Sequence, residues 1–497
     1  MRLLRNPNFI PYLVFFLFLI FCYFSFFLRL TSYPLLMWDE SRFAVNALEL
    51  LKTKNPVVQY YNGIPDLWNT KPPLTTWLMA IFMKFLGYNE LAVRLTSALA
   101  GTITALVIFR FIRKQTGTLF TAFLCGMVFI TSIGFIGAHV ARTGDADALA
   151  VLFLTLFAFS FYEMIMGNKK EQLRSSRKFY VTAIFLGLAL MTKSSYCLIL
   201  FPGIIILVFL FREQGLFSNR HLYFSFILSI LPFLIYLISR EHENPGYLNA
   251  VIKNDFLNRY ANSLEEHHHP FFYYFTEMAR RRFFPWLYFL PLSLVAYLKT
   301  KNENEKNILV FSFVMSLSIL LFISISQTKT EWYDAAFYPF AAILVGIGIK
   351  ETFVYIADYL NFKKSAHQRI IYIFCFLAVF YMPVRKVLSY ADIKPWAADF
   401  YQLKYGAFMK KKYASNFSSP VKYFEPEYNS HLLFYVEVYQ LQNKNATIIK
   451  DWNEIVKDEF IATCTPSLKM EIEKRFETSI YFKDEYCSCY KILDNKM

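Results

Sequence analysis

Phe9-Ile10-Pro11-Tyr12-Leu13-Val14-Phe15-Phe16-Leu17-Phe18-Leu19-Ile20-Phe21-Cys22-Tyr23-Phe24-Ser25-Phe26-Phe27-Leu28 is an uncharged, apolar stretch, and ten residues after it stands Trp38-Asp39-Glu40-Ser41-Arg42. At a rise of about 1.5 Å per residue, a helix of this length matches the roughly 30 Å hydrocarbon core of a bilayer. Arg2 and Arg5 precede it, and Arg29-Leu30-Thr31-Ser32-Tyr33-Pro34 follows without a small-residue cleavage pattern. It therefore reads as a retained first transmembrane helix that delivers two acids to the far membrane surface.

Working outward, apolar runs of similar length recur at about 90–109, 118–137, 147–166, 179–191, 197–211, 222–239, 283–298, 308–326, 334–349 and 370–388. With the first they make eleven, although 179–191 and 197–211 are each short for a span and together too long for one. Segments 1–8, 110–117, 167–178, 212–221, 299–307 and 350–369 carry 19 Lys or Arg against 6 acids. They alternate as one side of the membrane, so the positive-inside rule makes them cytoplasmic. The expected fold is an all-α polytopic membrane protein of about 11 to 13 transmembrane helices over 1–388. A small α/β extracytoplasmic domain over 389–497 follows, with strands at Val436–Tyr439 and Thr478–Phe482. Large outer loops fall at 31–89 and 240–282. The first holds two short interfacial helices, one from Asp39 to Leu51 and one opened by Lys71-Pro72-Pro73.

Composition agrees. The chain is 56% hydrophobic and 18% charged, which excludes a disordered chain and argues against an ordinary soluble enzyme. The tail 389–497 has 15 basic and 15 acidic residues, so the net charge of +15 lies wholly in 1–388. It reads as a topology signal, and no nucleic-acid partner is expected. Cys464, Cys487 and Cys489 lie close enough in sequence for one disulfide among them if the tail is extracytoplasmic.

The spans carry few ionisable residues, whereas a secondary transporter binds its cargo near the midplane. Charges gather instead at the outer mouth: Asp39, Glu40, Asp145 and Asp147 as acids, and Lys71, Arg142, Lys193, Arg259, Arg280, Arg281, Arg282 and Lys329 as cations. Carboxylates there suit general-base work or a divalent cation. Cations in short outer loops oppose the charge rule, and Lys and Arg suit a phosphate. Arg280 to Arg282 read more simply as snorkelling to headgroups. In Glu265-Glu266-His267-His268-His269-Pro270 an imidazole beside carboxylates is a weak metal signal.

In order along 1–390, Trp38-Asp39-Glu40-Ser41-Arg42-Phe43-Ala44, Trp68-Asn69-Thr70-Lys71-Pro72-Pro73-Leu74, Glu90-Leu91-Ala92-Val93-Arg94-Leu95, Ala141-Arg142-Thr143-Gly144-Asp145-Ala146-Asp147-Ala148-Leu149, Leu190-Met191-Thr192-Lys193 and Thr328-Lys329-Thr330-Glu331-Trp332-Tyr333 form a set. The set resembles the bacterial protein-mannosyltransferase-like glycosyltransferases of the GT-C fold, which include the lipid A aminoarabinose transferase. The resemblance implies an inner-membrane enzyme that moves a sugar from a polyprenyl phosphate to a glycolipid or protein acceptor on the periplasmic side. It implies Asp39 as catalytic base, Asp147 as second acid and Lys71 as the lysine at the lipid-carrier phosphate; Glu40, next to Asp39, is expected to join them as a catalytic acid. Arg142, Asp145, Lys193, Arg259, Lys329 and Tyr333 complete the expected substrate-binding set. His267 is similar to a histidine that binds a divalent metal, here zinc, magnesium or manganese. Where the aminoarabinose transferases place a Glu before the Lys-Pro motif, this sequence has Thr70. The rival readings are a lipid-linked glycan transporter or flippase, and a non-catalytic membrane scaffold.

Overall fold

The computed structural model describes residues 9–137, 139–166, 176–211, 216–255, 269–360, 365–391, 400–414 and 419–496; Arg259 and His267 lie outside them. The chain is a mostly helical polytopic membrane protein with a small sheet near its C-terminus. Among the described residues, seven helical stretches are long and apolar enough to cross a membrane: Glu90–Thr116, Asp147–Ile165, Ser176–Phe211, Arg220–Glu243, Glu303–Ile325, Glu331–Tyr359 and Ile370–Tyr390. Pro11–Phe26, Leu74–Leu86, Leu119–Ile130 and Trp286–Lys299 are shorter apolar helices. The ambiguous pair 179–191 and 197–211 falls within one helical stretch. Its first α-helix stops at Lys193, whose backbone turns out to φ −153°, and a 3₁₀ segment Ser194–Leu200 leads into Phe201–Phe211.

Two compact units partition the chain. One comprises Met1–Leu28, Leu67–Thr75 and Thr96–Asp392. Its centre is Asp147–Ile165, most of whose side chains are buried, whereas Arg220–Glu243 and Ile370–Tyr390 present exposed Phe226, Ile238, Phe374 and Leu377. Such apolar, exposed faces on spanning helices suit lipid tails. Leu119–Ile130 and Tyr338–Tyr359 pack backbone to backbone. A Cβ on Gly346 would lie 2.6 Å from the Cys125 backbone, so only glycine admits this approach. Arg282, read as a snorkelling cation, is instead buried. Its guanidinium grips Asp334 with both arms (2.7 and 2.6 Å) and donates to the Gly134 carbonyl. A buried guanidinium needs such a partner, and the sequence hid it 52 residues away.

The other unit comprises Arg29–Asp66, Thr76–Leu95 and Ile393–Met497. Its five-stranded sheet runs Ala446–Ile449, Val421–Phe424, Phe460–Thr463, Ser488–Asn495, Phe476–Lys483. The first three strands are parallel and the last two antiparallel to their neighbours. Phe424, Ile449, Ile461, Ile472, Tyr490 and Ile492 form its core. The expected strand Thr478–Phe482 lies within Phe476–Lys483. The expected strand Val436–Tyr439 lies in the helix Ser430–Leu441. Asn429 starts that helix by accepting the Leu432 amide at 3.1 Å, and Ser430 to Tyr439 are all buried. Burial on every side erases the alternation that separates helix from strand. Cys464 and Cys487 form the disulfide, and Cys489 is buried outside it.

Candidate functional site

In the membrane unit the tips of the helices carry charged clusters. Asp147 is the first residue of Asp147–Ile165, where the helix dipole favours a carboxylate. Lys193 ends Ser176–Lys193. The two side chains meet at 2.7 Å and are both buried. The Lys193 ammonium also lies 5.0 Å from the Tyr196 ring and 5.5 Å from that of Tyr333. Tyr196 donates to the Tyr333 carbonyl at 3.0 Å, which locks the two aromatic walls together. Lys193, Ser195, Tyr196, Ser326 and Tyr333 line a cavity of about 40 Å³. Lys329, three residues after Ser326, donates to the Ser326 carbonyl at 2.6 Å; burial draws its pKa below the usual lysine value.

Lys71 forms a second cluster. Its ammonium meets the buried Asp255 carboxylate at 2.7 Å. The strap that carries it is held in register: the Lys71 amide bonds Asn69 Oδ1, Tyr247 donates to the Thr70 carbonyl at 2.8 Å, and Arg240 donates to the Asn69 carbonyl at 3.4 Å. Asp255 was not singled out from the sequence, because nothing nearby marks it. A third cluster joins Asp145 to Thr143 by a short hydrogen bond and to His139 at 3.5 Å. His139 adopts φ +63° and stacks on Trp332, ring centres 4.0 Å apart. Arg142, expected to face substrate, sends its guanidinium to the carbonyls of Ser25 and Leu28.

In the second unit Asp39 is the exposed first residue of the helix Asp39–Thr53. Glu40 is buried and committed to Arg94: Nε to Oε1 at 2.6 Å, Nη2 to Oε2 at 3.0 Å, with the Leu36 amide on Oε2 at 2.6 Å. The adjacent pair thus splits into one acid open to solvent and one internal counter-ion. The metal pair expected around His267 has no carboxylate at position 70. Thr70 uses its carbonyl on Tyr247, and its hydroxyl lies 3.4 Å from the Lys71 ammonium.

Residues 70–238 match the family model described as dolichyl-phosphate-mannose-protein mannosyltransferase. An uncharacterized protein of Aquifex aeolicus is 28% identical over 351 residues, covering 69% of this chain and 64% of its own length. The undecaprenyl phosphate-alpha-4-amino-4-deoxy-L-arabinose arabinosyl transferase of Erwinia tasmaniensis is 26% identical over 318 residues, covering 63% and 55%. The chain thus spans less than two thirds of the length of these curated relatives. Among solved structures, ArnT from Cupriavidus metallidurans bound to undecaprenyl phosphate superposes with a TM-score of 0.71 at 16% identity, over 98% of both chains. The apo oligosaccharyltransferase of Archaeoglobus fulgidus gives 0.52 at 12% identity, over 97% of this chain and 74% of its own. In a matched segment, in its relatives and in its fold, this chain is similar to the GT-C fold protein-mannosyltransferase-like glycosyltransferases and to the lipid A aminoarabinose transferase among them.

Proposed function

We propose that the chain is a glycosyltransferase of the bacterial inner membrane that moves a sugar from a polyprenyl-phosphate donor to a periplasmic acceptor, a glycolipid such as lipid A or a protein. The observation that carries this is the buried Lys193–Asp147 pair between two tyrosine rings, at the ends of two apolar helices. A lysine held by a carboxylate is a site that a phosphate can take over, and Lys71 on Asp255 repeats the arrangement. Cations so placed neutralise the charge that grows on a leaving phosphate. The names of the relatives, which act on undecaprenyl phosphate-linked sugar, support the donor class. Asp39, exposed and at a helix N-terminus, serves as the base that deprotonates the acceptor, and a single displacement inverts the anomeric carbon. His139 and Asp145, an imidazole and a carboxylate 3.5 Å apart, would hold a divalent metal, which would supply Lewis-acid chemistry there.

The test is mass spectrometry of lipids and glycoproteins from cells with and without the protein. A sugar mass that disappears with it identifies donor residue and acceptor. Asp39→Asn and Lys71→Ala, expressed at matched levels, should each abolish that product. Product at near-normal levels from either variant removes that residue from the mechanism.

A further inference from the structure

The C-terminal sheet domain lies in the same compact unit as Asp39, and its contacts with the loop run from Leu35 to Lys52, one of them on Trp38 directly before Asp39. Trp38, directly before Asp39, sits at φ +73° and ψ −122°, a conformation that a residue with a side chain rarely adopts. Such a geometry persists only where its surroundings over-determine it. Within the loop itself the Trp38 carbonyl accepts the Arg42 amide at 3.0 Å and the Ser41 hydroxyl at 3.3 Å. Those bonds belong to the first turn of the helix and do not fix the turn before it.

Ahead of the turn, Arg94 holds the carbonyls of Leu30, Tyr33 and Pro34, and Glu40 accepts the Leu36 amide; the side-chain contact on Trp38 itself comes from the tail. The Trp38 indole stacks on Tyr428, ring centres 5.3 Å apart and planes 19° apart. Tyr428 stacks in turn on Tyr61 at 6.1 Å. The Arg42 guanidinium lies 4.5 Å from the Tyr61 ring, donates to the Tyr428 hydroxyl at 3.4 Å and is anchored by Asp66 at 2.6 and 2.9 Å. Ser41 and Ser430 share a short hydrogen bond between hydroxyls. On the other side of the turn, Tyr435 accepts the Leu35 amide at 3.0 Å and donates to Glu90 at 2.6 Å. Gly406 lets a tail helix pass close to Pro34: a Cβ there would lie 2.8 Å from the Pro34 side chain. Tyr428 itself is placed by the sheet, four residues after the strand Val421–Phe424 and one before the Asn429 cap.

We infer that Tyr428 is a positioning residue. By stacking on Trp38 it holds the strained turn that aims the Asp39 carboxylate, so the C-terminal domain is a working part of the transferase. This rests on Asp39 acting as the base.

Tyr428→Ala and Tyr428→Phe are compared in the full chain in nanodiscs, with Lys457→Ala on the remote face of the tail as control. Hydrogen exchange is read over residues 35–42. In Tyr428→Ala, exchange there should rise at least tenfold while that of the sheet strands stays unchanged; Tyr428→Phe, which keeps the ring, should restore protection. Sugar transfer, with the donor and acceptor that the mass spectrometry identifies, should show kcat at least tenfold lower with the donor KM within twofold, again rescued by Phe. Unchanged exchange over 35–42 in Tyr428→Ala overturns the inference, as does raised exchange with unchanged kcat. If Asp39→Asn transfers sugar normally, it is the base assignment that fails; the exchange result still decides whether Tyr428 holds the turn.

Discussion

Glu40→Gln separates stability from chemistry at the acidic pair. In the folded chain both Glu40 oxygens are used: Arg94 reaches one at 2.6 Å and the other at 3.0 Å, and the Leu36 amide adds a third bond at 2.6 Å. Arg94 is fully buried and also donates to the carbonyls of Leu30, Tyr33 and Pro34 at 2.7, 3.0 and 2.8 Å. Glutamine keeps one acceptor oxygen and turns an amide NH₂ toward donors. Breaking one member of a buried ion pair costs about 3–5 kcal/mol. The surviving oxygen and the carbonyls place Gln at the low end, about 3 kcal/mol. For a unit of this size 1 kcal/mol moves Tm by roughly 2–4 °C, so a loss of roughly 6–12 °C is expected. The assay is thermal unfolding in detergent, paired with transfer measured well below the new Tm. There the variant should retain activity within a few-fold of wild type, because the charge it loses lies inside the fold. A Glu40→Gln protein with unchanged Tm and no transfer would refute this reasoning and return Glu40 to the chemistry. Arg94→Met should be worse than Glu40→Gln, since it also strands three backbone carbonyls.

Three further outcomes follow from the same kind of accounting. Burial holds the His431 imidazole down to about 3, against about 6.5 in an unfolded chain. Its contribution is complete above pH 6.5 and is lost as pH falls toward 3, by up to about 5 kcal/mol, so His431→Phe should flatten the acid limb of unfolding of the C-terminal unit; an unchanged limb would assign acid lability elsewhere. Lys193→Met should destabilise the membrane unit by about 3–5 kcal/mol, because Asp147 stays buried without its counter-ion, while Lys193→Arg should retain the fold; equal unfolding temperatures for all three would show that Asp147 is solvated. Cys464→Ser opens a loop closed across a sequence separation of 23 and should cost about 3 kcal/mol, matched by adding reductant to the wild type and absent when reductant is added to the variant.

Much of this molecule was legible along the chain because a bilayer imposes length and charge rules that act on contiguous segments. The run 9–28, the later apolar runs and the basic short loops are such segments, and they establish a polytopic helical protein. The ordered motifs around Asp39, Lys71, Asp147 and Lys193 named the candidate site, because short loops at helix ends leave few positions for charge. Partnerships between distant positions were not legible. Asp255 for Lys71, Arg94 for Glu40, Asp334 for Arg282 and Tyr428 for Trp38 stand 184, 54, 52 and 390 residues from the groups they serve. No period or spacing encodes such a pairing; it exists only once helices pack. Val436–Tyr439 failed for a related reason, since a helix buried on all sides carries no alternation to read. The sequence by itself determined that this is a polytopic helical membrane protein and named the charges to look for at its site. The tertiary structure alone decided which of those charges face outward and which are spent on one another, because a buried charge must find a partner wherever the fold supplies it.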